Sequence, residues 1–255
     1  MTDFIASDGL RLNPGAAHPA FAWQVALPTD WAFLDTHPSS WQRSLDRLVD
    51  DRFAGQRLKS AERRELLRNL ADLVATCQRA GTLVSLVQLG RLSNGGVASA
   101  GLHLAWYDSA PDPAGLTTVR QALSRQGTVE EVSTPGGVAL LQRDHLSMVP
   151  PGTTSRVGLT SFQAFLPMAG TTWTVAVATA GAQPELLPML RELVIAIVSS
   201  IRPLDEQSEL AEQAVPTSPP SADYSPMEPP DAPGIERGFG TLIPHKVAPP
   251  PADRG

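Results

Sequence analysis

Cysteine is nearly absent from this chain, and Cys77 is the only one. That excludes an intramolecular disulfide and any zinc site built from several thiolates. A lone thiol fits a reducing compartment. Long apolar runs are missing too. Leu193–Val198 is the longest, well short of the roughly eighteen residues that signal a spanning helix, so no membrane span is expected. Met1–Gly15 carries Asp3 and Asp8 and has neither a basic n-region nor an apolar h-region, so it does not read as a signal peptide. The expected location is the cytoplasm. Positive charge is in deficit. A formal net charge of −6 opposes nucleic-acid binding, where neutralising phosphates with Lys and Arg dominates affinity. The local basic cluster Arg57–Arg68 alternates with Glu62 and Glu65 and reads as a solvated helix face.

The usual catalytic signatures are also lacking. There is no Gly-x-Ser-x-Gly elbow. His18, His37, His103, His145 and His245 show no i, i+4 pairing and no His-Glu-x-x-His arrangement, so neither a metal nor any other cofactor is expected. Asp144-His145 is the one Asp-His neighbour pair, with Ser147 close by. On a strand these two side chains point to opposite faces, so the dipeptide cannot itself be the orienting pair of a triad. His103 lies between Leu102 and Leu104; if those face inward, His103 faces outward. Gly95-Gly96 and Gly136-Gly137 precede no helix in a phosphate-loop context and read as hairpin turns.

What the sequence does have is alternation and helical spacing. Phe21–Pro28 reads as a strand with Phe21, Trp23, Val25 and Leu27 on one side, followed by a turn that carries Trp31 as a core anchor. Trp41–Phe53 has helical spacing through Trp41, Leu45, Leu48 and Val49, with Ser39 or Ser40 as N-cap. Ser60–Ala80 is the strongest helix of this half. Ser60 is placed to cap it, Leu66, Leu67, Leu70, Leu73, Val74 and Cys77 form its apolar stripe, and Gly81 occupies the C′ position. Cys77 on that stripe reads as a small core hydrophobe. Thr82–Leu89 and Val97–Tyr107 read as strands paired across Asn94-Gly95, Leu116–Arg125 as a short helix, and Gly127–Ser133 and Val138–Leu146 as a second hairpin across Thr134–Gly137.

The spine of the chain is Arg156–Arg202. Arg156–Pro167 and Thr171–Thr179 read as strands. Both faces of the second are apolar or small, which suggests an inner strand covered on each side. Glu185–Ile201 follows as an amphipathic helix, with Pro184 or Pro188 in its first turn and Pro203 preventing continuation. The five tryptophans fall on separate elements, as core anchors do. The expected fold is α+β: a predominantly antiparallel sheet packed against helices in an α/β/α sandwich. A flexible arm (residues 1–20) precedes the domain (21–203), and a disordered tail (204–255) follows it. A folded part of about two hundred residues buries roughly 70% of its extended-chain surface and needs no covalent staple.

Half of the 24 prolines lie beyond Ile201. That tail cannot bury enough apolar surface to offset an ordering entropy of about 1–2 kcal/mol per residue. Residues 235–247 (IERGFGTLIPHKV) differ in composition. Ile235, Arg237, Phe239, Leu242, Ile243 and Lys246 read as a short docking motif that orders on a partner or on the chain's own domain.

Three local features resemble the PsbP-like superfamily of α/β/α sandwiches: the start Leu27-Pro28-Thr29-Asp30-Trp31, the strand Thr174–Ala180 followed by a helix, and the exit Ser199-Ser200-Ile201-Arg202. By order of elements the resemblance covers residues 20–203. The group includes photosystem-associated extrinsic proteins, a Ran-binding branch, and small actinobacterial proteins and lipoproteins; Ala, Pro, Gly and Arg usage here looks actinobacterial. The two long consecutive helices depart from the group's first helical layer, and no cysteine stands near the N-terminus to accept a lipid. The resemblance implies a mostly non-catalytic protein acting through its surfaces. The expected function is therefore a protein-interaction or accessory domain with an unidentified protein partner. The alternatives are a small-molecule or lipid-binding domain with a pocket between sheet and helices, a hydrolase centred on His145, and an accessory factor of a secretion system.

Overall fold

Period-two alternation of apolar residues builds one large sheet, and helical stripes cover it. The computed structural model describes residues 13–56, 58–91, 97–123, 127–148, 157–181, 184–204 and 239–242. In chain order the elements are β1 (Trp23–Pro28), β2 (Ala32–Phe33), α1 (Trp41–Arg52), α2 (Ser60–Arg79), β3 (Val84–Arg91), β4 (Val97–Asp108), α3 (Leu116–Ala122), β5 (Thr128–Thr134), β6 (Gly137–Met148), β7 (Val157–Pro167), β8 (Trp173–Gly181), a 3₁₀ turn (Pro184–Leu186), α4 (Leu187–Ser200), β9 (Arg202–Pro203) and β10 (Phe239–Leu242). The fold is α+β. Seven strands form the main sheet in the order β2-β3-β4-β8-β7-β6-β5, with every neighbouring pair antiparallel. A second sheet has the order β10-β1-β9.

The two faces of the main sheet differ. On the first, Leu86, Leu102, Leu104, Trp106, Phe162, Ala164, Leu166, Val175 and Val177 join Leu190, Leu193, Val194 and Ile197 of α4 and Trp23, Val25 and Leu27 of β1 in one continuous core. Three of the tryptophans meet there. Trp106 takes Trp23 edge-on at 5.1 Å and Trp173 at 6.5 Å, with Phe21 at 6.1 Å. These three come from separate strands and anchor the core, as expected, and strand pairing brings them to one cluster, a geometry that aromatic rings favour. Trp31 is a buried anchor, as expected.

On the second face, Leu45, Leu48, Val49, Phe53, Leu66, Leu70 and Val74 of α1 and α2 pack with Val87 and Leu89 of β3. α3 also lies on this face. Neighbouring strand residues point to opposite sides; Glu130 of β5 pairs with Arg191 of α4, while the adjacent Glu131 pairs with Arg120 of α3. Helices thus cover both faces of the sheet.

Several local readings shift by a residue or two. α2 begins at Ser60 itself. Its cap position is Lys59, whose N–H donates to Glu62 Oε2 at 3.0 Å, so the glutamate of the first turn reaches back and no Ser60 cap forms. Ser40 occupies the cap position of α1 without a side-chain cap bond. Gly81 has φ +66°, which is why a glycine ends α2 there. Asn94-Gly95 lies outside the described residues. Within the expected N-terminal arm, Asn13 and Ala16 are buried, Ala16 in the first-face core.

Leu190 is fully buried where α4 crosses β7 and β8. Leu190→Ala is expected to lower the unfolding free energy by about 2–5 kcal/mol. Leu67→Ala, at a half-buried position of α2, is expected to cost markedly less. Urea denaturation of the two variants checks the ranking.

Candidate functional site

Three places concentrate polar groups, and the first is the outward edge of β1. Even-numbered residues of β1 turn their backbone groups toward β9. Leu204 N donates to Ala22 O at 2.9 Å, Gln24 lies opposite Arg202, and past the end of β9 Ser200 Oγ accepts the Ala26 N–H at 2.9 Å. In an antiparallel strand, alternate residues direct their backbone groups to opposite edges. The N–H and C=O groups of Val25 and Leu27 therefore point to the other edge, where β10 pairs in the register Val25↔Leu242, Ala26↔Thr241, Leu27↔Gly240 and Pro28↔Phe239. Phe239 and Leu242 of the expected docking motif thus lie in a strand on the chain's own domain, while Ile235, Arg237, Ile243 and Lys246 lie outside the described residues.

On the β9 side of β1 is a groove of about 330 Å³ lined by Gln24–Ala26, Pro135 and Ser199–Arg202. The Arg202 guanidinium stands against the Gln24 side chain, whose amide oxygen, in the orientation that hydrogen bonding requires, accepts its N–H groups.

The third place is the middle of the second face. One cross-strand row there reads Ser85, His103, Ala178, Gln163, Gln142 from β3 to β6, and the next reads Val87, Gly101, Ala180, Ser161, Asp144. His103 does not point into open solvent. It lies half-buried toward α2, with Nδ1 3.0 Å from Ser85 Oγ and 3.5 Å from Cys77 Sγ. The outward reading is corrected because this sheet is covered on both sides, so neither face of β4 is plain surface. Gly101 makes room for the ring: a Cβ there would fall 2.7 Å from His103 Nε2. Burial lowers the His103 pKa to about 4 and raises that of Cys77. Both groups are therefore neutral at pH 7, not a thiolate–imidazolium pair.

Asp144 accepts a bond from Gln142 Nε2 at 2.9 Å through Oδ2, and its Oδ1 is buried without a partner; Ser161 Oγ across the strand pair is likewise unpartnered. His145 lies on the opposite face, exposed, with Nδ1 3.1 Å from Thr160 Oγ1. Asp144 and His145 thus diverge as their strand positions require. Among the described residues, no group of three or more His, Cys, Asp or Glu could hold a metal ion, and no helix is long and apolar enough to cross a membrane. The sequence reading missed the Ser85–His103–Cys77 contact. Its one available signal was a polar side chain on the off-beat of each strand, and only the register aligns those positions. Comparison with known proteins finds no matching family model, no matching curated protein and no matching solved structure.

His103 sets a pH dependence. An unfolded histidine titrates near 6.5, and His103 in the fold near 4. Between those values the unfolded chain binds a proton that the folded chain does not, so stability falls as pH falls from 6.5 to 4, by about 3 kcal/mol at most. His103→Gln is expected to flatten that part of the stability profile relative to the parent chain. Thermal melts of both proteins from pH 7 to pH 4 check it; parallel profiles would refute it.

Proposed function

We propose that this chain is a non-catalytic, PsbP-like interaction domain that takes an extended protein segment as an added strand on β1, with its own C-terminal segment as the docking arm. The observation that carries this reading is the pairing of β10 with β1 after the long intervening residues 205–238. Unpaired strand edges recruit strands because each N–H and C=O left at the edge seeks a partner, and strand addition is a general mode of peptide recognition. β1 suits the role. Trp23, Val25 and Leu27 anchor it in the core, and Ser200 and β9 hold its other edge, so a docking strand meets a rigid template. The order of elements over residues 20–203 supports the PsbP-like assignment, and the absence of a basic surplus and of membrane-spanning helices among the described residues supports a protein partner.

Tethering supplies the docking arm at an effective concentration of order millimolar. A free partner therefore binds by displacing β10. A fluorescent peptide of residues 235–247 is expected to bind a chain ending at Leu204 and to bind the full chain at least tenfold more weakly, because β10 occupies the edge. Methylating the backbone nitrogen of Gly240 or Leu242 in the peptide should abolish binding, since those residues face Leu27 and Val25. Methylation at Thr241 should be tolerated. Fluorescence anisotropy reads all five titrations. Equal loss at all three positions would exclude an added strand in this register.

A further inference from the structure

The register of β10 on β1 sorts the residues of the docking strand between two sides of the small sheet. In an antiparallel pair, residues directly opposite each other share a face. Val25 and Leu27 belong to the first-face core, with 0% and 4% exposure. Leu242 stands opposite Val25, and Gly240 opposite Leu27. Those two positions of the docking strand therefore lie on the core side. Thr241 and Phe239 stand opposite Ala26 and Pro28 and lie on the other side. That side is less apolar. Ala26 is half-buried there, and Gln24, the next residue along it, bears the Arg202 guanidinium. Pro28 is buried and closes β1.

An added strand is held by two kinds of contact. Backbone hydrogen bonds give affinity whatever the sequence, and side chains at alternate positions give selectivity. The backbone bonds of this edge come from the pairs at Val25 and Leu27. Of the two core-side positions opposite them, one is a glycine, which has no side chain to offer. A single position, that of Leu242, is left at which the docking strand can add apolar area to the core. Phe239 is the largest residue of the four and the most conspicuous by composition, yet its position is on the other side and at the end of the pairing. A slip of one residue would exchange the two sides, so the sorting is as strict as the register.

We propose that the outward edge of β1 selects an extended protein segment through one aliphatic side chain placed opposite Val25, with no apolar requirement at the positions opposite Ala26 and Pro28. In the chain's own docking strand that side chain is Leu242, and Phe239 is dispensable. This rests on the strand-acceptor reading above and adds what the acceptor selects. The partner it fits carries an aliphatic residue in an extended stretch and needs no aromatic anchor.

Amide hydrogen exchange of the full chain and four variants tests this. The amides of Val25 and Leu27 report on docking of β10, and the amide of Ala26, bonded to Ser200 Oγ, is the internal control. Leu242→Ala removes most of one aliphatic side chain and is expected to speed exchange at Val25 and Leu27 by about fivefold or more. Leu242→Ile, still aliphatic, is expected to keep the protection. Phe239→Ala and Thr241→Ala are expected to change it by less than about twofold, since neither position adds area to the core. The Ala26 amide should not change in any variant. Acceleration by Phe239→Ala as large as that by Leu242→Ala, or no acceleration by Leu242→Ala, would overturn the proposal and leave the strand pairing itself in place. Free exchange at Val25 and Leu27 in the unsubstituted chain would instead remove the strand-acceptor reading, and this proposal with it.

Discussion

The apolar seam between the first face of the sheet and α4 is the contact on which the rest of the molecule depends. It joins residues far apart in sequence, from Trp23 to Ile201, in one core. α4 reaches β7, β8 and β1 at once. Because that face is sealed, the second face does not have to be. α1, α2 and α3 cover its flanks, and the central strand can keep alanines where a core strand would carry valine or leucine. Burying apolar area at about 25 cal/mol per Å² on one side lets the protein keep polar groups on the other at tolerable cost.

The same seam fixes β1. Its odd residues are held by the tryptophan cluster and its even residues by β9 and Ser200, which leaves one row of backbone groups facing outward. The edges of the main sheet are handled differently. β2 is only two residues long, and β5 carries Glu130 and Glu131 in a largely exposed strand. Both devices discourage strand addition. β1 has neither a charged residue nor a bulge in its described pairing, and the chain's own C-terminal segment lies along it. The two edges of the main sheet are blunted, while the outward edge of β1 carries β10.

The sequence was informative where one period dominated. α2 was legible from its leucine stripe and Gly81, β8 from its small and β-branched run, and the antiparallel α+β class from hairpin turns between alternating segments. It was uninformative where tertiary register decides. Nothing in Trp23, Trp106 and Trp173 taken singly says that they touch. Ser85, His103, Gln163 and Gln142 are unremarkable singly, and become a polar row only when five strands are aligned. β2 is too short for any periodicity to mark. The His103 reading failed for a general reason: alternation says which residues share a face, and it does not say whether the other face is also covered. Residues 239–242 stand out by composition, and nothing in the sequence marks β1 as the strand they pair with.

Amide hydrogen exchange across β1 tests the central claim most directly, because the strand reports on its two edges separately. Gln24 and Ala26 answer to the β9 side and Val25 and Leu27 to the β10 side. Comparing the full chain with a chain ending at Leu204, the account predicts that Val25 and Leu27 lose protection on truncation while Gln24 and Ala26 keep theirs. Protection of all four amides that is the same in both proteins would contradict it.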